Sequence, residues 1–517
     1  GYASGQSPEK DATNAAARTK KNENDADTSN DVQLLPQITN PDAFKQKVAT
    51  VSTFEDLVAA WADDSVTYID IVSDIANKDN KFKLDMRSAR GANVIVNGNG
   101  HRIDMGVAYF RLETTDNTFT FVLTDANFTQ NVSSYGNALV MCAKYMTTMT
   151  DYVPNGTLCF NNITLKTGDI NPYDKYGEKT KALYVADAGK ATVHFSGTNL
   201  FEVNNSFNPI DACTPFSKVE FANDASVTIK TEGGNTVQRG DFCIGASSKL
   251  SLGDRSTFTI SEDRDQFKVD RGPIAGTLAT WKIGNDVTWN QHGWGSFINA
   301  GSGDTSGAAL GKNNASIKAF FGKRFTLNQD IITEEQVPSI SLCNPGTYLA
   351  APQIFFSEGA SINIKSNSDY SPIFDLSSAV SLTRYPDLAK YPNQDLENYP
   401  KVPNSSNLLY VPTLVINNPR NLNLSYCDED GDPLTPSAPI IRTARDGKVP
   451  GVFILNGVAQ PLNLWTSSNV SKTPDNTVNK FDKLQIWNES TTLYDAAGSE
   501  TSVPSLFKNT RELQLNN

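Results

Sequence analysis

Residues 219–230 read VEFANDASVTIK, and the same pattern returns, loosely, as CIGASSKLSLG at 243–253 and IFFSEGASINIKS at 354–366. In each, an apolar strand enters a turn of small or acidic residues, and Ala or Ser leads out into alternation. Imperfect repetition of this kind indicates a solenoid, whose repeats bury their apolar faces only by stacking. Three short strands and their turns make a coil of roughly 20–30 residues, stacked about 4.8 Å from the next. The flanking sequence agrees: TFTFVLTDANFT (118–129), GTLCFNNITLKTG (156–168), ATVHFSGTNLFEVN (191–204) and WKIGNDVTWNQ (281–291) are all β-branched or aromatic-rich. Gly, Asn or Asp ends each one. A β-sandwich array or a propeller has a similar strand count, but no constant blade motif is present.

A solenoid exposes its ends and needs caps. TFEDLVAAWADD (53–64) puts Phe54, Leu57, Val58 and Trp61 on one helical face, and Thr53 with Asp56 approximates a capping box. This helix is expected to cap the N-terminal end. VTYIDIVSDI (66–75) then alternates as a strand, and ANVIVNGNGHRIDMG (92–106) is a strand broken by Asn97-Gly98 and Asn99-Gly100 turns. The expected organisation is a disordered or linker segment over 1–50, a β-solenoid over 51–412, and a continuation or terminal subdomain over 413–517. The Tyr-Pro-rich stretch 384–412 reads as a long loop or extended strap, since Pro removes ladder donors.

The 517 residues carry 45 Lys+Arg against 57 Asp+Glu, a net charge of −12. An acidic chain offers no phosphate-neutralising surface, so no nucleic-acid partner is expected. No apolar run is long enough to span a bilayer, so no membrane insertion is expected in this segment. The three histidines, His101, His194 and His292, stand in unrelated contexts, which excludes a His-x-x-x-His zinc hydrolase. Gly-x-Ser-x-Gly and phosphate-cradling Gly-rich motifs are also absent. Six cysteines without Cys-x-x-Cys spacing are too sparse for a disulfide scaffold and read as buried small hydrophobes. Pairing of Cys142 with Cys159, or Cys213 with Cys243, stays open. Gly1 starts no signal-peptide pattern, so a mature or trimmed form is expected, with any anchor outside this sequence.

TFEDLVAAW (53–61), VTYIDIVSDI and VIVNGNGHRIDMG (94–106) together resemble the pectate-lyase-like adhesive domain of cell-surface proteins from lactobacilli and related Gram-positive bacteria. FSEGASINIKS (356–366) and VINNPRNLNLS (415–425) look like later coils of that domain. The resemblance implies an all-β, right-handed parallel β-helix, display on the bacterial surface, and attachment to host or plant glycans. The six cysteines depart from what such proteins often carry.

Three constellations could carry chemistry. Trp281, Trp289 and Trp294 crowd a Gly- and Asn-rich stretch where Gln291, His292 and Asn299 could supply polar contacts to a sugar stacked on an indole. The alternative is core packing, since Trp is highly buried on average. SEDRDQFKVDRG (261–272) clusters Asp263, Arg264, Asp265, Lys268, Asp270 and Arg271, which could hold a uronate or form a solvated charged loop. Arg87 and Arg90 make a smaller basic site. In CDEDGDP (427–433), Asp428, Asp430 and Asp432 alternate around Gly431, which could wrap Ca²⁺ or make an acidic turn.

The resulting expectation is a non-catalytic adhesin. It binds host or plant polysaccharide or glycoprotein through Trp289, Trp294, Gln291, His292, Lys268 and Arg271 and needs no cofactor beyond optional Ca²⁺ at Asp428, Asp430 and Asp432. A Ca²⁺-dependent polysaccharide lyase is the alternative, and a structural stalk the third.

Overall fold

The computed structural model describes residues 27–82, 90–112, 119–131, 138–141, 156–167, 184–187, 191–204, 210–212, 218–232, 242–244, 249–263, 274–275, 280–293, 295–299, 318–342, 352–377, 381–383, 411–458 and 460–516. They fall into two compact units, residues 31–267 and residues 1–30 with 268–517. Each is a parallel β-solenoid.

In the first unit, coil after coil adds one strand to the same sheet. Tyr68 is in register with Ile95, Ile95 with Val122, Val122 with Cys159, Cys159 with His194, and His194 with Glu220. The neighbouring positions point inward and stack aromatic on aromatic. Phe160 lies 5.6 Å from Phe195, Phe195 lies 5.4 Å from Phe221, and Phe221 lies 5.4 Å from Phe258. The repeated turn has a common cause. Asp224 and Arg255 take positive φ (64° and 62°), and the two side chains pair, Arg255 Nε to Asp224 Oδ1 at 2.7 Å. Such a left-handed residue lets the chain leave one strand and enter the next within a few residues.

The helix Phe54–Ala62 buries Phe54, Leu57, Ala60 and Trp61, and Val58 is half-buried. The Thr53 side chain accepts from Asp56 N at 3.1 Å, and Asp56 Oδ2 accepts from Ser52 N at 3.1 Å, so the expected cap forms. Trp61 packs 5.0 Å from Phe110 and 5.1 Å from Phe121, sealing the apolar interior.

Disorder through residue 50 is corrected from Asp27 onward. Short helices at Pro36–Thr39 and Pro41–Phe44 and a strand at Val48–Val51 are formed. Leu35, Ile38 and Phe44 pack on the outer face at Tyr68, Ile95, Val122 and Cys159, and Val32 N donates to Asn223 Oδ1 at 3.0 Å. That outer face is apolar, which supplies the burial that composition alone withheld from this arm.

In the second unit the strands Thr280–Ile283, Lys318–Phe321, Gln353–Phe356, Thr413–Asn417 and Val452–Val458 form one parallel column. Thr288–Gly293, Thr326–Ile331, Ser361–Ser366 and Asn421–Tyr426 form another. Parallel stacking thus runs past residue 413. Thereafter the pairing turns antiparallel, with Thr510–Asn516 on Asn421–Tyr426 and Phe481–Trp487 on Val452–Val458. These strands cover the last parallel edge, which would otherwise invite further strand addition.

A charge cluster supports this unit. The Asp375 carboxylate accepts from Arg442 Nη2 at 2.7 Å and Arg445 Nη2 at 2.9 Å. Burial pushes the Asp375 pKa up, but Arg442, Ser377 and Arg445 outweigh it and hold the value below its ordinary one. A depressed carboxyl stabilises the fold above its unfolded pKa of about 3.9, and that contribution is lost as pH falls through the folded value. Asp375→Asn is therefore expected to cost about 2 kcal/mol at neutral pH, the scale of a hydrogen bond to a charged group, and to flatten the acid limb of a pH series of thermal melts.

Cys159 is buried and in no disulfide, its Sγ 3.9 Å from Ser196 Oγ, and Cys427 is half-buried and in no disulfide. Burial pushes the Cys159 pKa up to about 12, which fits an inert core residue. Cys142, Cys213 and Cys343 lie outside the described residues, as does the Tyr-Pro stretch apart from residues 411–412.

Candidate functional site

The strand Thr288–Gly293 divides the expected sugar site between its two faces. Trp289 and Gln291 point inward and are buried, while His292 points outward. Trp289 stacks on Trp281 at 5.7 Å and 8°, and its Nε1 donates to Gln291 Oε1 at 3.1 Å. Gln291 Nε2 donates to the carbonyls of Gly295 (3.1 Å) and Ser296 (3.0 Å). Neither Trp289 nor Gln291 is a surface platform; the glutamine lets an indole N–H enter the core without an unmade bond. Trp294, Lys268 and Arg271 lie outside the described residues, as do Arg264, Asp265, Asp270 and Arg87; the side chains of Asp263 and Asn299 are likewise outside them.

One further expectation is corrected. Arg90 is buried, and its guanidinium donates to Ala60 O (3.2 Å), Trp61 O (3.2 Å), Asp63 O (3.0 Å) and Val66 O. It caps a helix rather than offering a basic surface. At the acidic loop, Asp428 Oδ1 accepts from Asp430 N at 3.0 Å and Asp432 N at 2.8 Å, so this carboxylate closes its own turn. Among the described residues no three His, Cys, Asp or Glu side chains come together as a metal site. The loop thus has the form of an acidic turn.

Around His292 a different site appears. On the outward face three columns run across four successive coils. Thr288, Thr326, Ser361 and Asn421 form the first; Asn290, Asn328, Asn363 and Asn423 the second; His292, Asp330, Lys365 and Ser425 the third. The central column is a hydrogen-bonded amide ladder. Asn328 Nδ2 donates to Asn290 Oδ1 (3.0 Å), Asn363 Nδ2 to Asn328 Oδ1 (3.3 Å), and Asn423 Nδ2 to Asn363 Oδ1 (2.7 Å). Parallel stacking brings identical side chains within reach, and an amide both donates and accepts, so Asn satisfies Asn along the stack.

The ladder does not use up its own hydrogen-bonding capacity. An amide has two N–H donors and two carbonyl lone pairs. Asn328 is exposed and engages one of each in the column. Beside it, His292 Nδ1 lies 3.5 Å from Asp330 Oδ2, and this contact holds the Asp330 carboxyl below its usual range. Tyr370, 69% exposed, stands in the corner after the strand Ser361–Ser366. It offers an open aromatic ring, which the sequence reading places at Trp289.

In the 31–267 unit, an open polar cup of about 350 Å³ is lined by Asn97, Asn99, Gly100, Asp125, Asn127 and Asn162 among others. Asn162 Nδ2 donates to Asp125 Oδ1 at 3.1 Å, and Asn127 Nδ2 to Gly100 O at 3.0 Å. The cup is short and its amides are largely tied to its own turns. The ladder face is longer and regular.

Sequence reasoning missed the ladder and Tyr370. The available signal was the central Asn of TWNQH, TLNQD, SINIK and NLNLS, at the same place in four strands.

Comparison with known proteins locates one family. Residues 48–180 match the family model described as "Putative pectate lyase-like adhesive domain". Among solved structures the chain is similar to "L. reuteri 53608 SRRP", at 12% sequence identity and a TM-score of 0.37, over 64% of this chain and 94% of that one. No curated protein matches. The stretch 48–180 is thus similar to a pectate lyase-like adhesive domain, the family that residues 53–106 resemble.

Proposed function

We propose that the chain is the adhesive part of an extracellular, cell-surface protein and that it holds glycan chains on the ladder face around Asn328 and Asn363. The observation that carries this reading is the amide ladder: a regular column of donors and acceptors, exposed at Asn328 and half-buried at Asn290, Asn363 and Asn423, suits a polymer that also repeats. Contacts of this kind are individually weak, and affinity accumulates over rungs and over many displayed copies. The family match at 48–180 supports adhesion over turnover. A lyase would need an arginine base free to reach a substrate. Among the described arginines of the ladder's unit, Arg324 is held bidentately by Asp286 (2.6 and 2.9 Å), Arg442 and Arg445 are held on Asp375, and Arg420 stands in a turn outside the ladder columns.

The test is retention on insoluble plant cell-wall polysaccharide and mucin. Asn328→Leu, which removes the exposed amide and breaks the ladder at both neighbours, is expected to weaken retention about tenfold, the equivalent of one to two hydrogen bonds. Unchanged retention would remove the ladder from the reading.

A further inference from the structure

We infer that the polymer taken by the ladder face is neutral, a hydroxyl-rich chain rather than a polyuronate. This rests on the reading of the face just given and adds the class of its ligand.

The argument is one of charge per rung. A polyuronate carries a carboxylate on every sugar, so a face that reads it needs cations repeating along the stack, best as forked guanidinium groups. Of the three columns described, only that of His292, Asp330, Lys365 and Ser425 carries charge. It has one permanent cation, Lys365, next in register to the Asp330 carboxylate. Arg420 stands in the turn before Asn421, outside the columns. The other arginines described in this unit are engaged: Arg324 on Asp286, Arg442 and Arg445 on Asp375, and Arg511 on Asn469 O. The remaining two columns are hydroxyls and amides. A net charge of −12 adds long-range repulsion toward any polyanion. Amides match hydroxyls, since each group both donates and accepts.

Affinity electrophoresis tests this directly, with the full chain run through gels containing a neutral β-glucan, a neutral galactan or polygalacturonate, at low and high ionic strength. Retardation by a neutral polymer, indifferent to salt and reduced about tenfold in Asn328→Leu, is expected. Asp330→Lys would leave two permanent cations in successive rungs and is expected to add salt-sensitive retardation by polygalacturonate, a gain that misfolding cannot produce. Salt-sensitive retardation of the unaltered chain by polygalacturonate alone, lost in Asn328→Leu, would overturn the neutral-ligand inference and leave the face as the binding site. Retardation that no ladder substitution alters, or none by any polymer, would overturn both.

Discussion

Replacing Arg90 by leucine is expected to destabilise the 31–267 unit by on the order of 4 kcal/mol, since each buried carbonyl left without a donor costs about 1–3 kcal/mol. The helix Phe54–Ala62 ends inside the protein, where Ala60 O accepts only a long bond from Asp63 N (3.3 Å) and Asp63 O one from Val66 N (3.0 Å), leaving lone pairs for a further donor. One guanidinium supplies donors for Ala60, Trp61 and Asp63, then reaches Val66 and Ala92 beyond the helix. It also lies 5.7 Å from the Trp61 ring. Burial pulls its pKa down, with Asp64 and Asp63 opposing, yet an arginine stays charged in proteins. Leucine fills part of the volume and supplies no donor. The melting temperature should fall by roughly 10 °C, read by circular dichroism, and protease cleavage near residues 60–66 should accelerate. Arg90→Lys should recover part of the loss, because one ammonium cannot reach carbonyls in several directions. Melting unchanged in the leucine variant would mean that water satisfies these carbonyls.

Trp289→Ala is expected to cost about 3–5 kcal/mol by leaving a cavity in the core of the 268–517 unit. The indole is wholly buried against Trp281 and lies 5.0 Å from Phe297. Its loss also strands the Gln291 carbonyl that accepts from Nε1. Thermal melting reads the first effect. Glycan retention, measured well below the melting temperature, should barely change, because Trp289 faces away from the ladder. A variant that keeps its stability but loses retention would return Trp289 to the surface role that its neighbours in sequence suggested.

How much was legible follows from these two residues and the ladder. The solenoid could be read because each turn repeats the same local problem: Asp224, Arg255, Asp286 and Arg324 all adopt positive φ in matching turns. The Thr53 cap could be read because it is settled within four residues. The orientation of Trp289 was obscured because its inward companion is a glutamine, so polarity did not alternate with burial. The ladder was hidden by unequal coils. Its rungs are 38, 35 and 60 residues apart, and no fixed period would find them. Arg90 read as a basic surface because composition does not show which carbonyls a fold leaves without partners.

The ladder also has a direction. Asn328 donates to Asn290, Asn363 to Asn328, and Asn423 to Asn363, so every engaged amide dipole points the same way along the stack. Aligned dipoles polarise one another, and the column terminates in an acceptor, Asn423 Oδ1, with no donor among the described residues. A sugar chain is itself directional, from its non-reducing to its reducing end. The two senses in which such a chain could lie along this column are therefore not equivalent.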